Sequence, residues 1–132
     1  NRKIDKTYVA LLDGLVEEES GAVDLPLITD WPNRPKQKVD FETGKSSLTY
    51  YKTLERKLHD QSTRVELIPQ TGRTHQLRVH MQAIGHAIIG DRLYAHASAQ
   101  EKSSRLLLHA TQLSFKHPVS DQPVNIISQA PF

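Results

Sequence analysis

One stretch of this chain repeats its apolar residues at helical spacing, Leu77, Met81 and Ile84 at i, i+4 and i+7, and it is flanked on both sides by strand-like segments. Upstream, KTYVALLDG (Lys6 to Gly14) carries β-branched and aromatic residues and ends on an Asp-Gly turn signal, which predicts a strand and its turn. Leu48 to Leu58 and Thr63 to Gln70 flank the polar break HDQS, and the alternation of the second segment predicts a hairpin. Downstream, RLLLHATQLSFKHP (Arg105 to Pro118) and PVNIISQAP (Pro123 to Pro131) predict two more strands. Strands, then a helix, then strands, with no regular strand-helix alternation, imply an α+β fold with a mainly antiparallel sheet and few helices.

The helix is expected to run for roughly three turns, with Thr71 or Thr74 capping its start and Gly85 ending it. Between Leu25 and Ser47 three prolines and the cations Arg34, Lys36, Lys38 and Lys45 predict an extended basic loop with a short strand near Lys38 to Phe41. The acidic cluster Glu17, Glu18 and Glu19 is read as a solvated loop or hairpin rim, and AHASAQEKSS (Ala95 to Ser104) as a short helix or loop. No internal repeat is present.

At 132 residues the chain fits one modest core or part of a larger domain. Its net charge of +2 permits a nucleic-acid partner without requiring one. The absence of cysteine excludes disulfides, thiolate metal sites and cysteine nucleophiles and fits a reducing compartment, so cytoplasm is the expected location. No apolar run approaches the twenty or so residues of a membrane span, and no membrane association is expected. Asn1 is not methionine, and the charged opening NRKIDK is expected to be cut from something longer.

Chemistry concentrates in TGRTHQLRVHMQAIGHAIIGDRLY, Thr71 to Tyr94. On a helix Arg78 borders the apolar face instead of opposing it, and a guanidinium so placed must find a partner, because burial unpaired is very costly; a carboxylate from elsewhere in the fold is the obvious one. His75 and His80 are five residues apart, about 140° around a helix, so they cannot share a metal as an i, i+4 pair would. A Ser-His-Asp hydrolase lacks its G-x-S-x-G, and GDRLY after GHAIIG lacks the lysine and the spacing of a phosphate loop.

The same residues carry a resemblance. GRTHQLRVHMQAIGHAIIGDRLY (Gly72 to Tyr94) resembles the third motif of the RluA-type pseudouridine synthases, G-R-T-H-Q-I/L-R-V-H followed by G-H-P-I-x-G-D-x-x-Y. KTYVALLDG is similar to the K-x-Y strand of that family, and Val23 to Val39 and Arg105 to Pro118 extend the likeness over nearly the whole chain. Ala87 stands where the family has proline, a change that removes no polar group and from which no loss is expected. The family's catalytic aspartate lies in an H-R-L-D-x-x-T-S-G segment upstream of the K-x-Y strand, and no such segment occurs between Asn1 and Phe132. Residues 1–132 are therefore expected to be the C-terminal part of the catalytic domain, without its N-terminal part and inactive alone.

The resemblance implies isomerisation of uridine in RNA, without cofactor or metal. The implied substrate is 23S ribosomal RNA, with tRNA anticodon stem-loops as a second candidate. It implies that Arg78 is the partner of the catalytic aspartate, and that Tyr8 is the tyrosine of the K-x-Y strand, placed against the target uracil. Arg34, Lys36, Lys38, Arg73 and Arg92 are the cations expected to hold phosphates around a flipped base. His75, Gln76, His80 and Asp91 are expected to be structural: buried hydrogen-bonding for the histidines and, for Asp91, a turn with a backbone N–H or an arginine as partner. The alternative is a non-catalytic module that holds structured RNA; an interaction domain without RNA is a third reading, distinguished by weak salt dependence. The parent protein is expected to be a monomer, whereas a chain lacking strands is expected to expose edges by which it could self-associate.

Overall fold

A twisted antiparallel sheet carries one short helix on its face, and that helix is covered in turn by a small hairpin. The computed structural model describes residues 5–116, 119–120 and 122–132; Asn1 to Ile4 of the charged opening, and His117 and Pro118 at the end of a predicted strand, lie outside the described residues. In chain order the elements are β1 (Asp5–Asp13), β2 (Ser20–Asp24), β3 (Leu27–Thr29), a 3-10 turn at Trp31–Asn33, β4 (Gln37–Val39), β5 (Leu48–Lys57), β6 (Ser62–Pro69), α1 (Gln76–Ala83), α2 (Ala97–Glu101), β7 (Leu108–Lys116) and β8 (Pro123–Ile127). The sheet order is β2-β5-β6-β1-β7-β8, and every pairing within it is antiparallel. The α+β reading and the β5–β6 hairpin are as the alternation predicts.

Period-two alternation decides which face of the sheet is covered. Ala10 and Leu12 of β1 and Val65 and Leu67 of β6 are buried on one face, where they meet Leu77 and Met81 of α1 together with Val16, Val23 and Ile88. Each such aliphatic side chain contributes roughly 1.5–3 kcal/mol by leaving water. The opposite flank of α1 is buried too: Val79 packs with Leu27 and Tyr94, against Val39 and Leu93. The helix is thus held between the sheet and the β3–β4 hairpin, so one apolar stripe understates its burial.

Two expectations need correction. First, α1 is eight residues long, about two turns, and neither Thr71 nor Thr74 caps it; His75 occupies the N-cap with φ +54° and makes no side-chain capping bond. The start is delayed because residues 71–75 form a turn of their own. The end is as the glycine predicts: Gly85 at φ +90° gives its N–H to the carbonyl of Gln82, and His86 gives its own to Met81, the paired bonds of a Schellman stop. Second, Leu25 to Ser47 is not an extended loop, although the short strand expected near Lys38 to Phe41 is there as Gln37–Val39. It forms a two-stranded hairpin, Leu27–Thr29 against Gln37–Val39, because apolar Leu27 and Val39 find a buried partner in Val79. The acidic cluster Glu17, Glu18 and Glu19 is an exposed loop, as expected, and Ser20–Asp24 beside it is an edge strand paired with β5. Arg56 reaches across to that cluster, donating to the carbonyls of Val16 and Glu17 and to the Glu19 carboxylate.

The loop after α1 is woven into the sheet. Ile88 bridges Leu12, Ile89 donates to the carbonyl of Leu11, and Leu107 donates to that of Ile89. Gly90 makes this possible: it sits at φ +83°, and an added Cβ would stand 1.9 Å from the Arg105 carbonyl oxygen. Gly90→Ala should therefore destabilise the chain by at least about 2 kcal/mol, combining left-handed backbone strain with a backbone clash. The urea midpoint measures it, and an unchanged midpoint would show that the loop can move away from residues 105–107.

Candidate active site

The turn that precedes α1 is fixed by one side chain. The Oε1 of Gln76 accepts from the Thr71 hydroxyl at 2.6 Å and from the Arg73 N–H at 3.1 Å, while its Nε2 donates to the Leu48 carbonyl at 2.9 Å and the Thr49 hydroxyl at 3.0 Å. Both ends of the amide are saturated, so the turn is pinned to the start of β5. From there the bonds continue inward. Thr49 donates to Nδ1 of His80 at 2.8 Å, and Nε2 of His80 donates to the Leu25 carbonyl at 2.9 Å. His80 is completely buried, and burial pushes its pKa below the ordinary histidine value, the Leu25 carbonyl opposing this only in part. The neutral ring with hydrogen on Nε2 is the form that satisfies both partners.

Arg78 faces the other way along the helix. Its Nε and Nη2 grip the two oxygens of Asp91 at 3.0 and 2.7 Å, a fork-to-carboxylate pair. The carboxylate is 0% exposed and the arginine side chain 18%. Oδ1 of Asp91 also accepts from the backbone N–H groups of Leu93 and Tyr94, closing an Asx turn. The pair keeps the guanidinium charged, its pKa raised by the bonds to Asp91. The turn delivers Tyr94, whose ring lies 5.2 Å from the Arg78 guanidinium carbon. The Tyr94 hydroxyl accepts the Gln37 N–H at 2.9 Å, and its own proton is free to be donated to Nδ1 of His75 at 2.7 Å. Burial, with the Arg78 charge adding to it, lowers the pKa of His75, which keeps Nδ1 an acceptor. Burial also raises the Tyr94 phenol.

Beside these residues lies a cavity of about 440 Å³, lined among others by Lys6, Tyr8, Thr71, Arg73, His75, Leu77, Arg78 and Leu108. Tyr8 reaches it because alternation carries the sequence Leu12, Ala10, Tyr8 along the covered face and past the edge of the core. The ladder from β1 to β7 slips there because β7 carries one extra residue, Thr111, opposite the Thr7–Tyr8 step, and the Thr111 hydroxyl donates to the Thr7 carbonyl. Tyr8, Arg73, His75, Gln76 and Arg78 thus share one cavity wall, while His80 and Asp91 stand behind it. Arg34, Lys36, Lys38 and Arg92 do not line it. Arg34, Lys38 and Arg92 are exposed, and Lys36 lies 6.0 Å from the Tyr94 ring. Lys6 is a residue that the motif reading passed over: the alternation that puts Tyr8 on the cavity puts Lys6 there as well. Among the described residues no group of three or more His, Asp or Glu side chains converges, and no helix is long and apolar enough to cross a membrane.

A cavity with a tyrosine and cations at its wall, built from a strand and a helix start on an antiparallel sheet, can be compared with known proteins. Residues 1–83 match the family described as RNA pseudouridylate synthase. The chain is 53% identical over 131 residues to the dual-specificity RNA pseudouridine synthase RluA of Yersinia pestis, covering 99% of this chain and 63% of that protein. It is 50% identical to the protein of that name from Escherichia coli strain K12, covering 99% of this chain and 59% of that one. The solved structure of human RNA pseudouridylate synthase domain containing 1 superimposes with a TM-score of 0.84 at 34% identity, over 98% of this chain and 56% of that one. The chain belongs to the RNA pseudouridylate synthase family. It spans about three fifths of the length of these curated relatives.

Two measurements follow from the geometry. Arg78→Met strands the buried Asp91 carboxylate and should cost about 3–5 kcal/mol in urea unfolding, whereas adding Asp91→Asn should restore part of that loss. Strictly additive losses would mean that the two do not act as a pair. For His80, the folded pKa lies below the unfolded value of about 6.5, so the unfolded chain takes up the proton first as pH falls. Stability should therefore drop from about pH 6.5 downward. His80→Gln should lower the urea midpoint at pH 7.5 yet flatten its decline between pH 7.5 and 5.5; a decline as steep as that of the unaltered chain would assign the acid sensitivity elsewhere.

Proposed function

We propose that residues 1–132 are the C-terminal part of the catalytic domain of an enzyme that converts uridine in RNA to pseudouridine. The observation that carries the reading is the shared cavity: Tyr8 of the K-x-Y strand and Arg78 of the GRTHQLRVH motif, 70 positions apart, line the same wall together with Arg73. The family membership and the printed activity of the relatives support it. In this reaction the glycosidic bond from N1 to the sugar breaks, the uracil turns, a bond forms from C5 to the same sugar carbon, C5 loses its proton and N1 gains one. No oxidant, metal or nucleotide enters that balance.

The division of labour follows from the contacts. The catalytic aspartate comes from the part of the protein outside this chain. Asp91 engages Nε and Nη2 of Arg78 and leaves Nη1 as the nitrogen for a second carboxylate, so Asp91 is a positioning residue that fixes the plane of the fork. An arginine held there favours the ionised aspartate in a site closed over a base. Tyr8 lies against the target uracil, and its hydroxyl removes the C5 proton. Arg73 holds a phosphate at the cavity mouth, and Arg34, Lys36, Lys38 and Arg92 extend the cationic surface for the flanking strand. The RNA is 23S ribosomal RNA, with the tRNA anticodon stem-loop as a second substrate. The parent acts as a cytoplasmic monomer, and the fragment alone is inactive and self-associates through uncovered surface.

Tritium released from C5 of labelled stem-loop RNA in the presence of chelator tests this. The full-length protein should release it, the 132-residue chain should not, and full-length Tyr8→Phe should bind the RNA while losing at least about a hundredfold in single-turnover rate, the usual worth of a positioned general base. Release by the fragment would refute the division of labour, and near-normal turnover by Tyr8→Phe would make Tyr8 a packing residue.

A further inference from the structure

The cations of the β3–β4 hairpin are interleaved with a solvent-facing aromatic. Trp31, the single tryptophan of this chain, is 62% exposed on the turn between the two strands, and the Arg34 guanidinium carbon lies 5.1 Å from its ring centroid. The turn that presents them is closed by backbone bonds: Asp30 donates to the Lys36 carbonyl, Asn33 to that of Asp30, and Lys36 to that of Asn33. Asp30, the nearest acid in sequence, is engaged by the Asn33 side-chain amide. The backbone that presents the platform is therefore closed on itself before anything binds it.

Contacts described above connect this turn to the cavity. His75 lines the cavity and is bonded to the Tyr94 hydroxyl, the same hydroxyl holds the Gln37 N–H next to Lys36, and Lys36 itself stands 6.0 Å from the Tyr94 ring. Arg78, at the cavity, and Lys36, on the turn, thus stand against one ring, that of Tyr94, and the turn that carries Lys36 also carries Arg34 and its aromatic face. Cations spaced along a groove suit a phosphate backbone, and an exposed indole backed by a guanidinium suits the flat face of an unpaired base.

Resting on the reading of this protein as an RNA-modifying enzyme, we propose that Trp31 with Arg34 is a stacking platform for a second unpaired base of the RNA strand whose target uridine enters the cavity. Such a platform is indifferent to base identity, because every base offers a π face, and it selects instead for a loop in which a neighbouring base is already out of the stack. Lys36 and Lys38 contact the intervening phosphates. The specificity it supplies is for RNA shape around the target.

The test uses the full-length protein and an anticodon stem-loop RNA, together with versions of that RNA carrying one abasic nucleotide at successive loop positions. Trp31→Leu keeps apolar bulk and removes the aromatic face; it should weaken binding of the intact RNA roughly 5- to 100-fold without changing the salt slope, whereas Trp31→Phe should stay within about threefold. Arg34→Met should lower the slope by about one ion. With one of the abasic RNAs, the Trp31→Leu and unaltered proteins should bind equally, which identifies the stacked position. Equal affinity of Trp31→Leu for intact RNA overturns the platform, as does a loss that persists undiminished on every abasic RNA. A lower urea midpoint for Trp31→Leu at unchanged RNA affinity also overturns it and assigns Trp31 to a contact with the rest of the protein. If the unaltered protein neither binds nor isomerises the stem-loop RNAs, the functional reading itself fails, an outcome separate from failure of the platform alone.

Discussion

A carboxylate with no exposed surface has to be given back everything that water supplied, and Asp91 shows how much structure that demands. Two guanidinium nitrogens and two backbone N–H groups converge on it. Each of those donors belongs to a different obligation of the fold: the guanidinium orients α1, and the N–H groups set the turn that carries Leu93 and Tyr94 under the hairpin. Without the carboxylate the guanidinium would be a half-buried charge beside an apolar face, a state that costs several kcal/mol. The pair is thus less a source of stability than a constraint on geometry, since many hydrophobic arrangements could pack as well but few could satisfy both charges.

Tyr94 extends this constraint outward. Its ring packs with Leu27 and Val79, faces the guanidinium, and its hydroxyl joins the hairpin backbone to His75 at the helix start. On the other flank Gln76 does the equivalent work toward the sheet, and its chain of bonds through Thr49 and His80 ends on the carbonyl of Leu25, just before the hairpin begins. A helix of two turns cannot hold its own direction, because nucleation is costly and short helices are marginal in water. Here it is oriented by two polar networks and two apolar contacts, which is why a charged and histidine-rich segment can be so largely buried.

The fold class was legible because it rests on periodicity: alternation in the β5–β6 hairpin and the i, i+4, i+7 spacing of Leu77, Met81 and Ile84 are properties of single segments. The hairpin at Leu27–Val39 was not, since three-residue strands carry too few alternations to register and their burial depends on Val79, a residue some forty positions away. The helix start was missed for a related reason. Thr71 and Thr74 offer capping oxygens, but Thr71 spends its hydroxyl on Gln76 and accepts the Leu48 N–H. In the site, the border position of Arg78 could be read from helical spacing and Asp91 from its turn context, yet nothing local says that these two meet. Lys6 needed only the alternation of its strand, and was overlooked because the tyrosine two residues on drew the chemical interest.

The arrangement also explains how an open sheet comes to have a recess at all. A sheet offers one only where something stands on it; here α1 and its leading turn raise a wall at one end of β1, and the alternation of β1 carries Tyr8 to that wall. Rigidity on the wall's far side comes from buried bonds: those of Asp91 to Arg78 and the Leu93 and Tyr94 N–H groups, and those of His80 to Thr49 and Leu25. Long arginines would otherwise sample many rotamers, at an entropic cost near 2 kcal/mol each when fixed. Arg78 has had that cost met in folding, through Asp91, and Arg73 in part through its bond to the Ser46 carbonyl. Both guanidinium groups are therefore held in place before any ligand arrives.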